Sequence, residues 1–487
     1  MCFVWIFNII IKLMKQILLT TTVICAYVLT IVTTPLFAQD TRSKIQDAFT
    51  QFQQQESLKN GLSSLTVLNA KTGQTIFAAN ENVGLATAST MKVITSATAL
   101  DFLGKNYQFK TTLYYTGDID ENGTLNGNII VSGSGDPTLG STRYAETQAS
   151  TLLNKWVSLV QNAGIKSIHG SVIADDRLYN GNQLPGGWIW TDMGNYYGAG
   201  ISSLNWCENS FGINFQPSNK VGTKAEIIQD TTRAPYLNII NETTTGKVGS
   251  GDNVYAYAAP YSTKIFVRGT YGQDLKKTIE LASPDPAYDL AFQLNAGLHK
   301  QGIFTSGPPA TGIKMDSIDL TKKQTLDIHL SPTLDKIIYW FNQKSINLYG
   351  EALLKAIAYT TAGKTGTDDG AYYIQKYWNA KLGIKSSELN SMDGSGLSPQ
   401  NRVTTLAMTK IMQYAQKQSW YPVFYESLPT YNNMKMKSGT IGGALGYTGV
   451  HTNKEGQSFT YTLLVNNYAG PASSMRQQMF KLLDALK

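Results

Sequence analysis

The stretch "ATASTMKVITSATALDFLG", residues 86–104, decides how this chain is read. It sets Ser89 and Lys92 three residues apart at the mouth of a segment carrying Val93, Ile94, Ala97, Ala99, Leu100 and Leu103. A helix apolar nearly all round belongs in a core. Positions i and i+3 share a helical face, so the Lys92 amine lies beside the Ser89 hydroxyl. A lysine desolvated there loses basicity and can accept the serine proton. The helix N-terminus also favours negative charge developing at Ser89. A chain of this size should carry on the order of two Ser-x-x-Lys matches by chance; this one is the only match present.

Two more short elements follow in order. "NQKSINLYG" holds Ser345 and Asn347 between two predicted helices. An extended backbone there points residues i and i+2 the same way, so a hydroxyl and an amide can relay a proton and hold a substrate amide. Alone, Ser345 would read as a helix cap. The third element is a Lys-(Thr/Ser)-Gly on a strand, and the sequence offers three. Lys71-Thr72-Gly73 sits in a hairpin turn, and Lys364-Thr365-Gly366 ends a helix and runs into "TDDG", read as a loop. At Lys437-Ser438-Gly439-Thr440, Met434 and Met436 alternate with Lys435 and Lys437, and another strand follows. Lys437 then faces away from the methionines, and Gly439 lets a substrate backbone lie close. The alternative, a solvated edge lysine, is common for any single strand lysine. In this order the three elements match the signature of serine penicillin-binding proteins and β-lactamases.

Composition bounds the rest. The 487 residues, 42% hydrophobic and 15% charged, make a globular chain of two or three domains. Lys12 and Lys15 precede "ILLTTTVICAYVLTIVTTPLFA", which reads as a signal peptide cleaved after Ala38; Met14 is an alternative start. An uncleaved membrane anchor is the other reading of that run. Cleavage removes Cys2 and Cys25 and leaves Cys207 as a small buried residue with no disulfide to form. It also lowers the net charge from +7 to +5, since Lys12 and Lys15 are lost. No basic block marks nucleic-acid binding, so no nucleic-acid partner is expected. His169, His299, His329 and His451 lie outside every motif, and no Gly-x-Ser-x-Gly occurs, which argues against a Ser-His-Asp hydrolase.

Along the chain, 41–59 reads as a helix and 63–80 as two strands around a turn. Gly- and Asn-rich hairpins follow from about 106, with helices at 145–164 and 286–302. Helices return after 332, then strands at 433–438 and 458–468 and a helix at 473–487. The simplest partition has residues 1–38 as signal peptide and 39–105 plus 322–487 as a catalytic domain built from both chain ends. Residues 106–321 then form the inserted part, read as two domains.

Four further segments narrow this: "GSGDPTLG" (133–140), "GWIWTDMGNYYGAGISSLN" (187–205), "MDGSGLSPQNRV" (392–403) and "KSGTIGGALGYTGV" (437–450). Together with the three motifs they resemble the D-alanyl-D-alanine carboxypeptidase/endopeptidase family, the type-4 penicillin-binding proteins, over residues 45–485. The resemblance implies an α/β fold: a penicillin-binding/β-lactamase-like catalytic domain, an antiparallel sheet flanked by helices, with β-rich inserted domains. It implies hydrolysis of D-Ala-D-Ala ends and D-alanyl-diaminopimelyl cross-links of peptidoglycan peptide stems, with β-lactam antibiotics as covalent inhibitors. Ser89 would be acylated, Lys92 its base, Ser345 and Asn347 the relay, and Lys437 the anchor of the substrate carboxylate. The Ser89 and Thr440 amides would form the oxyanion hole, with Ser438 and Gly439 beside them and Asp175 binding the diaminopimelyl side chain. No metal or cofactor is implied, because the covalent mechanism needs none. A periplasmic or secreted enzyme, with peripheral membrane contact open to it, follows from the signal segment. Two departures stand out: Ser438 replaces the usual Thr, and Pro399 stands where many members carry Arg. The competing readings are a β-lactamase, which has no use for the roughly 250 residues between Ser89 and Ser345, and a wall-binding scaffold that has lost turnover.

Overall fold

The computed structural model describes residues 12–15, 40–228 and 235–487. The expected cleavage site and the apolar run before it lie outside those residues.

Chain ends meet in one six-stranded antiparallel sheet. Its order is Thr75–Ala79, Leu62–Asn69, Ser458–Asn466, Ala444–Thr452, Met434–Ile441 and Thr430–Tyr431. Alternation along these strands builds two different faces. Met434, Met436, Phe459, Tyr461, Leu463 and Val465 point one way, into a core shared with the helix at 40–53 and with Ala472–Leu483. The opposite face is lined by small hydroxyl residues. Ser64 and Thr66 both hydrogen-bond Thr405 Oγ1, at 2.6 and 2.9 Å, and Thr448 pairs with Thr462 at 2.8 Å. Short side chains let the second helical layer come close while their hydroxyls satisfy one another.

At the centre of that layer lies the helix Met91–Phe102, whose residues 91–100 are all buried. It packs against Leu334–Gln343, Asn347–Ala362 and Thr405–Ala415 in one continuous core. The expectation of a core helix follows directly from its missing polar face.

Between the two halves, a five-stranded mixed sheet runs Ala310–Thr311, Val172–Asp175, Ile129–Gly133, Lys110–Tyr115 and Gln324–Leu330. Helices Ala149–Asn162 and Pro286–Lys300 complete its core with Trp156, Leu290 and Leu294. A separate core joins two three-stranded sheets drawn from 210–282, around Phe211, Val267 and Leu281. Gln324–Leu330 pairs antiparallel with Lys110–Tyr115, so the inserted sheet extends one strand beyond residue 321. The reason is alternation: His329 is buried while Ile328 and Leu330 are exposed, a strand lying on the sheet edge. A second difference concerns "TDDG". It opens the helix Thr367–Leu382 instead of forming a loop, because Asp368 and Asp369 sit in the first turn, where carboxylates suit the free N–H groups. Among the described residues, no helix is long and apolar enough to cross a membrane.

Candidate active site

Ser89 occupies a single helical turn, Ala88–Thr90, leading into Met91–Phe102. The turn is strained and tightly clasped. Ala88 has φ +45°, in the left-handed region that disfavours a side chain. Gly396 touches it so closely that a Cβ there would lie 1.9 Å from the Ala88 carbonyl. From the other side comes Gly439 of Met434–Ile441; a Cβ there would lie 2.7 Å from Thr87 O and 2.8 Å from both Ser89 N and Thr90 N. The glycine of the Lys-Ser-Gly-Thr element therefore lets the strand reach the serine turn. That is a closer requirement than the approach of a substrate expected of it.

Lys92 is fully buried and has three partners. Its Nζ lies 2.6 Å from Asn347 Oδ1, 2.7 Å from the Ser395 carbonyl and 3.0 Å from Ser89 Oγ. Two of these atoms are acceptors only; the third, a hydroxyl, can also donate. A neutral amine has two N–H groups and one lone pair. It can donate to Asn347 and Ser395 and turn the lone pair to the Ser89 proton. Burial drives Lys92 well below the ordinary lysine range, and the neighbouring charge of Lys437 adds to this; Asp393 and Glu351 act in opposition.

Lys437 is buried too, and burial takes it down to about 7. It donates to Ser345 Oγ at 3.0 Å and to the Ser438 carbonyl at 2.8 Å. Ser345 stands at φ +56°, so the backbone is left-handed there, not extended as its position between helices suggests. Asn347 is the first residue of Asn347–Ala362. The kink, not strand alternation, brings both side chains to one place. Asn347 Nδ2 donates to the Tyr197 carbonyl at 2.7 Å, which ties the inserted segment to the site.

These groups sit at a cleft of about 760 Å³, within the range of small-molecule sites. Ser89, Ser345, Asn347 and Thr440 line it; Lys92 and Lys437 stand beneath it. Asp175 does not line it. The Asp175 carboxylate ends Val172–Asp175 and is gripped by Arg177, with Nε at 2.7 Å and Nη2 at 3.0 Å. Neighbouring Asp176 accepts from Ile313 N at 2.9 Å and faces Asp285. The acid in the cleft is Asp192, half-buried, raised by desolvation and hydrogen-bonded to the Tyr197 side chain. Opposite stands Arg143, bound to Glu208 at 2.8 and 3.1 Å. Glu208 is placed there by three successive left-handed residues, Cys207, Glu208 and Asn209. Among the described residues, no group of three or more His, Cys, Asp or Glu could hold a metal ion.

The profile of the D-Ala-D-Ala carboxypeptidase 3 (S13) family matches residues 45–486. The chain belongs to that family. It is thus a serine-type D-Ala-D-Ala carboxypeptidase. It is 25% identical to the D-alanyl-D-alanine carboxypeptidase of Actinomadura sp. (strain R39) over 85% of this chain and 80% of that one. It is also 25% identical to D-alanyl-D-alanine carboxypeptidase DacB of Haemophilus influenzae, over 82% of this chain and 84% of the other. The crystal structure of penicillin binding protein 4 (dacB) from Haemophilus influenzae superposes with a TM-score of 0.75 at 22% identity, covering 89% of this chain and 97% of that one. That likeness shows the fold.

Several residues that shape the peptidase's site were not singled out by motif. The Ser395 carbonyl, Asp393 and Glu351 act on Lys92 from "DGSGLS" and from the helix after Asn347. A backbone carbonyl leaves no residue-specific trace. The signal for Asp192 was its place within "GWIWTDMGNYYGAG", a segment rich in exposed aromatics, including Trp190 and Tyr196.

Gly439→Ala must push the strand away from the Ser89 turn. Its acylation rate with a fluorescent penicillin is expected to fall on the order of 100-fold, as displacements of about 1 Å do. A second expectation follows from Lys437: its charge fades as pH rises through about 7. KM for a substrate with a free terminal carboxylate therefore rises above that pH, while KM for its amide changes little, as initial rates over a pH series will measure.

Proposed function

We propose that Ser89 is the nucleophile of a peptidoglycan D-Ala-D-Ala carboxypeptidase and that Lys92 is its general base. The observation that carries this is the 3.0 Å contact between a fully buried amine and the Ser89 hydroxyl, with both other amine positions committed to pure acceptors. Lys92 takes the hydroxyl proton as Oγ attacks the carbonyl of the penultimate D-alanine. The Ser89 and Thr440 amides stabilise the oxyanion. The C–N bond then breaks, and the terminal D-alanine leaves with a proton from Ser345, replenished from Lys437 at 3.0 Å. Between the halves Lys92 gives up its proton to solvent and Lys437 regains one; water then attacks the acyl carbon, and Lys92 takes its proton and passes it to Ser89 Oγ as the ester C–O bond breaks.

Lys437 attracts the substrate's terminal carboxylate from beneath Ser345. Asp192, framed by Ile189, Tyr196, Tyr197 and Tyr255, suits the alkyl-ammonium arm of a stem peptide in place of Asp175. The same cleft accepts the D-alanyl bond of a cross-linked peptide, which makes the enzyme an endopeptidase as well. A β-lactam enters as a carboxylate-bearing acyl donor and stays on Ser89. With a cleaved leader, the enzyme works in the periplasm or outside the cell. The completeness of the Ser89, Lys92, Ser345, Asn347 and Lys437 set favours turnover over a wall-binding scaffold.

Release of D-alanine from a pentapeptide is the direct assay. Lys92→Ala is expected to lose on the order of 10²–10⁴ in kcat/KM, the worth of a general base. Mass spectrometry should find the penicillin adduct on the peptide containing Ser89 in the wild type. An adduct elsewhere, or full activity in Lys92→Ala, contradicts the assignment. Digestion of purified muropeptides, read by mass spectrometry, reports whether dimers are cut along with pentapeptide ends.

A further inference from the structure

Two carboxyl groups share the floor on which Lys92 stands. Asp393 is fully buried and receives four donors: Gly396 N at 2.7 Å, Ser398 N at 2.6 Å, Asn401 Nδ2 at 2.9 Å and Trp188 Nε1 at 3.0 Å. Such a set suits a carboxylate, which accepts only. Glu351, equally buried, is less well supplied. Gly394 N lies 3.2 Å from each of its oxygens, and the Ser395 hydroxyl is its remaining partner. Ser395 is the residue whose carbonyl meets Lys92 at 2.7 Å. Glu351 stands one turn beyond Asn347 on Asn347–Ala362, and Asn347 Oδ1 meets Lys92 at 2.6 Å. One helix therefore sets both acceptors of the amine, the first directly and the second through Glu351.

We propose that Glu351 is a positioning residue for Lys92, holding the 394–395 backbone so that the Ser395 carbonyl meets the amine. This rests on the reading of Lys92 as the base. Glu351 does this as an uncharged acid. Burial, then the charge of Asp393, lifts its carboxyl to about 8. While it keeps its proton, the floor carries the single charge of Asp393, and Lys92 is free to be neutral. Ionisation of Glu351 at higher pH adds no proton to Lys92; it changes only the hydrogen bonds by which Glu351 holds residues 394–395. The charged groups facing Glu351 are Asp393 from the loop, Lys92 from the serine helix and Lys355 from its own helix; Lys437 faces Lys92 from the sheet. Lys355 donates to the Thr365 carbonyl at 2.8 Å and points away from the cleft.

The test is kcat and KM at neutral pH in wild type, Glu351→Gln and Glu351→Ala. Glu351→Gln keeps the shape and the acceptor for Gly394 N, and should retain kcat within about threefold. Glu351→Ala should drop kcat about tenfold or more with KM nearly unchanged, the signature of a misplaced base. A loss in Glu351→Gln equal to that of Glu351→Ala overturns the proposal, as does wild-type kcat in Glu351→Ala. If Glu351→Gln does not fold, the infrared spectrum of the wild type decides. It should carry a protonated-carboxyl C=O band at neutral pH that vanishes through about pH 8, and absence of that band overturns the proposal. Failure of Ser89 to form a penicillin adduct would instead contradict the reading of the site, and the infrared band would still decide the state of Glu351.

Discussion

Three atoms surround the Lys92 amine, and only one of them has a proton to give. Asn347 Oδ1 and the Ser395 carbonyl can do nothing but accept, so they turn the lone pair of a neutral amine to Ser89. Burial makes the neutral form the stable one, because an isolated ammonium out of water costs more than giving up its proton. The two conditions need each other. A buried amine without fixed acceptors would rotate, and fixed acceptors around a solvated ammonium would leave no lone pair.

Much of the architecture serves that arrangement. The hydroxyl-lined face of the sheet brings the helical layer near, and Gly439 and Gly396 clasp the Ser89 turn from the sheet and from the 392–401 loop. Asp393 folds that loop around itself with four hydrogen bonds, which presents the Ser395 carbonyl inward. The inserted segment is joined to the same point through the Tyr197 carbonyl on Asn347. Ala88, Ser345 and the 207–209 run hold left-handed backbones without glycine at the site, as seven other non-glycine residues do among the described residues.

Local chemistry was legible in the sequence and tertiary chemistry was not. Ser89 and Lys92 are neighbours by helical geometry alone, and Lys437 is aimed by strand alternation against Met434 and Met436. The core helix followed from its all-round apolar pattern for the same reason, whereas the antiparallel sheet was implied by the family resemblance. Ser345 and Asn347 line the same cleft as Ser89, but on a left-handed backbone where an extended one was expected, since a positive φ at a serine has no compositional cue. Asp175 was implied by the family resemblance, and a position in the chain cannot reveal that Arg177, two residues on, grips that carboxylate outside the cleft. Glu351 and Asp393 were out of reach because their work depends on a loop from forty residues downstream meeting a helix face.

The protonation state of one amine tests this account most directly. With lysine Nζ labelled with nitrogen-15 and Lys92→Ala used to assign the resonance, the account predicts a neutral Lys92 amine at neutral pH in the free enzyme, its signal moving only on acidification. An ammonium that persists at Lys92 through the neutral range would contradict it.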